Sequence, residues 1–323
     1  MAAPARRRLW TVRRRSPNRP GMTGGTDGSN KRGIQLGLAA YLLWGVLPLY
    51  FKLLQSVPAT EIVAHRIIWS VLLLGLLATL WRRWGAIRAA LTTGKVLVTL
   101  IATACLIAAN WLVYIYAIVS GHLLEASLGY YLNPLVNVLF GVVLLKERLT
   151  RAQTFACLLA GAGVAVMAAG AGAGLWMSLA LALTFASYGF LRKIAPVDAL
   201  EGLWIETLVL APAALFWVFH VQAQGTAAFG HQSWQIDALL VLGSGVTALP
   251  LLLFTGAAKR LPYSTLGFLQ YVSPSIQFLL ATIAFGEPFG SAKALCFAAI
   301  WTALLIFSVE GLRLARMRAA PAT

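Results

Sequence analysis

Glu125-Ala126-Ser127-Leu128-Gly129-Tyr130-Tyr131-Leu132-Asn133-Pro134 has a weaker echo later in the chain, Ser264-Thr265-Leu266-Gly267-Phe268-Leu269-Gln270-Tyr271, with Pro274 just beyond it. Leu128-Gly129-Tyr130 and Leu266-Gly267-Phe268 are offset by 138 residues, while Pro134 and Glu147 recur as Pro274 and Glu287, both offset by 140. Further upstream, Trp44-Gly45 is echoed by Tyr188-Gly189, and Ala59, Glu61 and Arg66 fall opposite Ala199, Glu201 and Glu206. Self-similarity at a fixed period marks a duplicated structural unit. Here the unit is about 140 residues long.

The solvent of that unit follows from composition. Of 323 residues 59% are apolar and only 11% charged, against about 25% charged in a soluble domain. With a mean hydropathy of +0.78 the chain has too few charges to face water. Soluble domains, a disordered chain and a nucleic-acid module are therefore disfavoured. The net charge of +16 is no phosphate-binding face, because nine of the 26 Lys and Arg precede Gly33 and most others sit between apolar runs. Cys105, Cys157 and Cys296 each lie inside an apolar run, with no CxxC and no His at ligand spacing. Neither a disulfide framework nor a metal site is implied.

Breaking the chain at charge and Gly/Pro clusters gives ten runs of about 20 apolar residues, the length a bilayer span requires. They are 33–54, 58–81, 96–119, 123–145, 150–169, 173–191, 200–219, 234–258, 262–285 and 291–312. All the Lys and Arg except Lys52, Arg66 and Lys293 then fall on one side, in the amino-terminal tail, the Arg82/Arg83/Arg88/Lys95 loop, Lys146/Arg148/Arg151, Arg192/Lys193, Lys259/Arg260 and the carboxyl end. Basic loops are retained in the cytoplasm, so both termini are predicted to face inward. Five spans per repeat is an odd number, so the two copies run in opposite senses. The predicted fold is an all-α integral membrane protein with ten transmembrane helices in two inverted five-helix repeats.

The corresponding divisions are 1–31, a basic disordered tail; 32–169, the first half; 170–312, the second half; and 313–323, a basic cytoplasmic tail. The Arg-rich start has two readings. Either translation begins at Met22 and residues 1–21 are not translated, or the segment is a basic arm touching anionic head groups. It is not a secretory signal, since the apolar run that follows is too long and has no small-residue cleavage site.

Inverted repeats are the architecture of alternating-access carriers, whose site lies near the midplane where helices are broken. Pro134 and Pro274 each remove one intrahelical bond near the middle of a predicted span and free a carbonyl at membrane depth. They either mark the pocket or bend the helices for packing, and both can hold together.

At this point the residues resemble a known family. Tyr41-Leu42-Leu43-Trp44-Gly45, Ala64-His65-Arg66-Ile67-Ile68-Trp69-Ser70, Asn110-Trp111, the run from Glu125 to Leu135, Ile205-Glu206-Thr207, Val246-Thr247-Ala248-Leu249-Pro250-Leu251-Leu252 and the run from Ser264 to Tyr271 are similar to the RarD branch of the EamA-type drug/metabolite transporters. The likeness spans about Lys31 to Arg313. It implies a ten-helix permease of the bacterial inner membrane and a label linked to chloramphenicol sensitivity; it leaves the natural substrate open.

Polar groups inside the apolar runs are the candidate site. Arg66 lies about eight residues into the second span and Glu206 about six into the seventh, from opposite faces. At 1.5 Å per residue both are predicted near the midplane. A lone Arg there costs at least about 2.5 kcal/mol, so a partner or a wet cavity is expected. The prediction is that Arg66 and Glu206 approach one another, as a structural ion pair or as groups that bind an ionic solute or relay a proton. Glu61 and His65 share a face of the second span, and with Lys52, His122 and Glu125 they form either an outer vestibule or a set of helix-end anchors.

Asn110, Asn133, Asn137, Gln270 and Gln277 can bond across helices, and Asn133 and Gln270 adjoin the prolines. Trp44, Trp111, Tyr130, Tyr131 and Tyr271 either wall an aromatic pocket or simply pack. Trp81, Trp84 and Trp234 read as interfacial belt residues, and Glu147 and Glu287 as structural. The Gly/Ala run from Ala160 to Gly174 permits close helix approach.

Three functions compete. A secondary carrier moving a small organic metabolite or drug, by export or exchange, fits the repeat. An integral-membrane enzyme would need a nucleophile with its base or a metal cluster, and four scattered His without HExxH supply neither. A passive channel would present pore-lining rings in an oligomer. No cofactor is expected, and the absence of a Walker motif removes ATP as an energy source within the chain. The expected partners are the bilayer, a small-molecule substrate and possible proton coupling, with no nucleic acid.

Overall fold

The computed structural model describes residues 23–145, 149–170, 174–258, 260 and 269–319. Among these residues there is no strand, and eleven α-helices follow one another: α1 (Thr23–Leu53), α2 (Ala59–Leu80), α3 (Trp84–Thr92), α4 (Gly94–Val119), α5 (Leu123–Leu145), α6 (Arg151–Gly170), α7 (Leu175–Ile194), α8 (Ala199–Ala223), α9 (Trp234–Ala258), α10 (Val272–Leu279) and α11 (Ser291–Ala319). A five-residue π-helical turn, Leu280–Ala284, extends α10.

Among the described residues seven helical stretches are long and apolar enough to cross a membrane: Lys31–Leu53, Ala59–Leu80, Gly94–Val119, Leu175–Arg192, Ala199–Ala223, Trp234–Phe254 and Ser291–Gly311. Arg151–Val166 and Val272–Ala284 are shorter apolar helices. The polarity of the fold is that of a multi-pass membrane protein. Its outward positions are apolar, with Ile283 79% and Phe216 70% exposed, whereas Glu61, His65, Arg66, Asn110, Glu125 and Glu206 are buried. A soluble protein would do the reverse; lipid rewards this arrangement because ionisable groups there must turn inward.

Most of the packing joins the first half of the chain to the second. α6 lies along α11, α2 along α8 and α9, α1 along α9 and α10, α4 along α7 and α8, and α5 along α7 and α10. At Gly129 on α5 an added Cβ would come to 2.8 Å from the Ser178 carbonyl of α7, so this approach of the two helices needs a residue without a side chain.

Several elements differ from the sequence expectation. The loop after α2 contains the short helix α3, with Ile87 and Ala90 buried, and α2 is ended by Arg82 in the left-handed region, φ 53°. α1 begins at Thr23, inside the tail expected to be disordered, and α11 runs on to Ala319. α5 continues helical through position 134. The equivalent run near 274 is different: a turn at Gln270-Tyr271 precedes α10, which puts Pro274 in a first helical turn, where its missing N–H costs nothing. Glu147 lies outside the described residues.

Candidate functional site

Arg66, on the face of α2 that packs on α9, is 6% exposed. Its Nε donates a hydrogen bond to Thr247 Oγ1 of α9, and Thr247 is held by its own donation to the Gly243 carbonyl at 2.8 Å. The guanidinium lies over two rings, Trp111 at 4.3 Å and Phe51 at 5.9 Å. Cation–π contacts in desolvated settings stabilise by about 2 kcal/mol or more, comparable with the insertion cost of an Arg. Among the described residues the rings thus hold the buried Arg66 without an acid. The hydroxyls of Tyr50, Tyr114 and Tyr130 are within electrostatic reach of it. Nη1 of Arg66 and Oη of Tyr114 are buried and have no hydrogen-bond partner among the described residues.

Glu206, fully buried on α8, has a separate set of partners. Thr103 Oγ1 of α4 donates to its Oε1 at 2.7 Å and Tyr188 Oη of α7 to its Oε2 at 3.3 Å, while Arg192 Nε lies 3.6 Å from Oε1. The predicted approach of Arg66 to Glu206 is therefore not what the fold builds. No ion pair links them; a run of rings lies between, with Tyr114 and Tyr130 at 5.4 Å, Tyr130 and Phe185 at 5.8 Å, and Phe185 and Tyr188 at 6.3 Å. Arg192 belongs by sequence to a basic helix end, but its long side chain reaches back into the interior. It lies so close to Gly202 of α8 that a Cβ there would collide with the guanidinium.

The other sequence candidates divide between these groups and a third. Asn110 donates from Nδ2 to the Leu181 carbonyl at 3.2 Å and to Thr184 Oγ1 at 3.0 Å, and accepts from Tyr130 Oη at 3.5 Å. Asn133 is fully buried, and both its amide atoms are without partners. Tyr131 shares a 2.6 Å hydrogen bond with Ser275 and stacks on Tyr271 at 6.4 Å, against Phe297 and Trp301. Trp44 packs on Tyr41 and Phe254, and its carbonyl accepts from Gln277 Nε2 at 3.1 Å. The carbonyl of Pro274 accepts from Ser127 Oγ at 2.8 Å. Gln270 is half-buried in the turn before α10.

Charged groups fasten both ends of the bundle. Glu61 Oε1 accepts the backbone amides of Ala228 at 2.8 Å and Phe229 at 3.1 Å, with His65 stacked on Phe229 at 4.7 Å. Glu125 pairs with Lys293 at 2.7 Å, and Glu287 accepts the Leu123 and Leu124 amides, capping α5. Burial pushes the Glu287 carboxyl up, against those two amides. Toward the loop that carries α3, Arg83 bonds Glu201 and, at 2.5 Å, Asp198; its bond to Glu201 is the main reason it holds its proton more tightly than a free Arg. A groove of about 610 Å³ opens there between Ala90, Val96, Pro196 and Asp198, and neither Arg66 nor Glu206 lines it.

Comparison with known proteins agrees with this architecture. The EamA-like transporter family profile matches residues 31–169. An uncharacterized transporter of Vibrio cholerae is 48% identical over 283 residues, 88% of this chain and 94% of the relative. The RarD protein of Escherichia coli is 42% identical over 87% of this chain and 95% of its own length. The chain belongs to the RarD branch of the EamA-like transporter family. A chloramphenicol-sensitive RarD protein of Pseudomonas aeruginosa is more distant from this RarD-branch chain, at 35% identity over 89% of it and 97% of the relative. One solved crystal structure covers 86% of this chain and 97% of that one with a TM-score of 0.56; at 24% identity it speaks for the fold alone.

Within this RarD-branch protein, reading of the sequence missed Thr103, Thr247, Tyr188 and Arg192 as partners of the buried charges. Threonine in an apolar run carries no signal of its own, since its hydroxyl is as readily spent on its own helix. Trp84 packs edge-on against Trp204 at 5.0 Å.

Proposed function

We propose that this chain is a secondary carrier that moves a small organic metabolite or drug across the bacterial inner membrane by alternating access, in export or exchange. Residues 32–169 and 170–312 form two inverted halves of five spans each, with both termini cytoplasmic. The observation that carries this reading is a matched pair of buried bonds. Arg66 of α2 bonds Thr247 of α9, and Glu206 of α8 bonds Thr103 of α4. Arg66 and Glu206 are 140 residues apart, and the threonines differ from that offset by one helical turn.

Exchanging the halves maps one helix pair onto the other. The same exchange maps α1 with α9 onto α7 with α4, and α1 with α10 onto α7 with α5, while α2 with α8, α5 with α10 and α6 with α11 map onto themselves. Glu61 and Glu201, also 140 apart, fasten the loops at opposite ends. Such an arrangement supports two equivalent closures around one site, which a rocking carrier requires. The ring-lined region between Arg66 and Glu206, with Asn110, Trp111, Tyr130 and Asn133, is the proposed pathway. Tyr131 and Tyr271 line the α5–α10 side of it.

Counterflow in proteoliposomes tests the reading, with a panel of organic acids, amines and neutral solutes that includes chloramphenicol because of the Pseudomonas relative's name. A carrier accelerates entry of labelled solute when unlabelled solute is loaded inside. Entry that is indifferent to the internal load contradicts the proposal in favour of a channel, and a chemically changed solute contradicts it in favour of an enzyme.

A further inference from the structure

Arg66 and Glu206 occupy equivalent places in the repeat, yet they are not equally provided for. Glu206 has a cation, Arg192, at 3.6 Å. Arg66 has no carboxylate within ion-pair distance among the described residues; its contacts are one threonine hydroxyl and two aromatic faces. Its Nη1 is buried and unpartnered, and so is the hydroxyl of Tyr114, whose ring packs at 6.1 Å on the Phe51 ring that the guanidinium overlies. Ser70, one turn along α2 on the same face, is 1% exposed, and its Oγ likewise lacks a partner. A guanidinium at membrane depth needs a counter-charge or water, and open N–H and O–H groups around a positive centre select for an anion. The surrounding walls are Phe51, Trp111 and Tyr130, which suit a flat apolar body rather than a hydrated ion.

We infer that Arg66 is the seat of an organic monoanion, a carboxylate on a ring-sized apolar body. The carboxylate takes Nη1 of Arg66 and Oη of Tyr114, and the body lies against Trp111 and Phe51. This rests on the carrier reading, and it names the solute class of that same pathway. Selection works by difference: an amide of the same shape offers no charge to a desolvated guanidinium, and an amine repels it.

The test is equilibrium binding to the purified full-length protein in detergent, by calorimetry, with phenylacetate, phenylacetamide and 2-phenylethylamine. Phenylacetate is expected to bind saturably, about 10- to 100-fold more tightly than the amide, and the amine not at all. Arg66→Gln erases the preference for acid over amide. Arg66→Lys keeps its sign but reduces its size, since a point charge replaces a planar fork. Tyr114→Phe weakens the acid alone. If Arg66→Gln does not fold, the Lys and Phe variants decide. Equal binding of acid and amide, no binding of acid at millimolar concentration, or an acid preference unchanged in both the Lys and Phe variants overturns the inference. Counterflow separates the two readings. Acid binding without counterflow sinks the carrier and leaves the seat, whereas counterflow of a neutral or cationic solute indifferent to Arg66 sinks the seat and leaves the carrier.

Discussion

Thr103 Oγ1 of α4 donates 2.7 Å to Glu206 Oε1 of α8, and both residues are fully buried. A hydrogen bond to an ionised group contributes about 1.5–3 kcal/mol in water-soluble proteins, but transmembrane measurements average lower, about 0.6 kcal/mol with a maximum near 1.7. Thr103→Val is therefore expected to lower stability by about 0.6–1.7 kcal/mol, seen as a fall in the melting temperature of the purified protein, while Thr103→Ser stays near the wild type. Equal melting of Val and wild type would show that the contact contributes nothing.

Arg192 is the cation beside Glu206, so removing it strands a buried carboxylate. Breaking one member of a buried pair costs about 3–5 kcal/mol, and removing both often costs little. Arg192→Gln should be markedly less stable than the double variant Arg192→Gln/Glu206→Gln. Gly202→Ala, which pushes the guanidinium aside, should fall between wild type and Arg192→Gln. Additive losses in the double variant would contradict the pairing.

Arg83 touches two acids of very different burial, Glu201 at 1% and Asp198 at 56% side-chain exposure. Solvent screens the outer contact, which is expected to contribute no more than about 0.5 kcal/mol. The inner one is screened far less. Asp198→Asn should melt like the wild type, Glu201→Ala should not, and the reversed pair Arg83→Glu/Glu201→Arg should recover part of the loss. Equal effects at 198 and 201 would refute this ranking.

Glu287 gives a pH signature. Its carboxyl is held above the ordinary value of 4.5 by burial in the folded state only, so the fold binds that proton more tightly than the unfolded chain does. The resulting stabilisation is fully present below 4.5 and is lost as pH rises through the higher folded value. The melting temperature of wild type minus that of Glu287→Gln should thus decrease from about pH 4 to 7. A constant difference would show that the group titrates alike in both states.

The transmembrane plan was legible where the chain itself supplies the boundaries. Gly121-His122 and the Lys259-Arg260 pair delimit 123–145 and 234–258, and those are α5 and α9. α3 was not legible, because a short helix with two buried positions among arginines resembles a loop. The turn at Gln270-Tyr271 was hidden because Gln270, Ser273, Ser275 and Gln277 are mixed among apolar residues without a period for a break to interrupt. In the site, the charges announced themselves by their expense in lipid. Their partners did not, since which face a threonine presents and how far Arg192 reaches back are settled only by the packing of other helices.

The proposed antiparallel relation of residues 32–169 and 170–312 is the central claim, and cysteine accessibility measures it directly. Ser56 and Pro196 are exposed positions between helices, 140 residues apart. With Cys105, Cys157 and Cys296 replaced, Ser56→Cys and Pro196→Cys are exposed in intact cells to a maleimide that does not cross membranes. The account predicts labelling at 56 in intact cells and at 196 only after permeabilisation. Labelling of both positions from the same side would mean that the halves run in the same sense, and would contradict it.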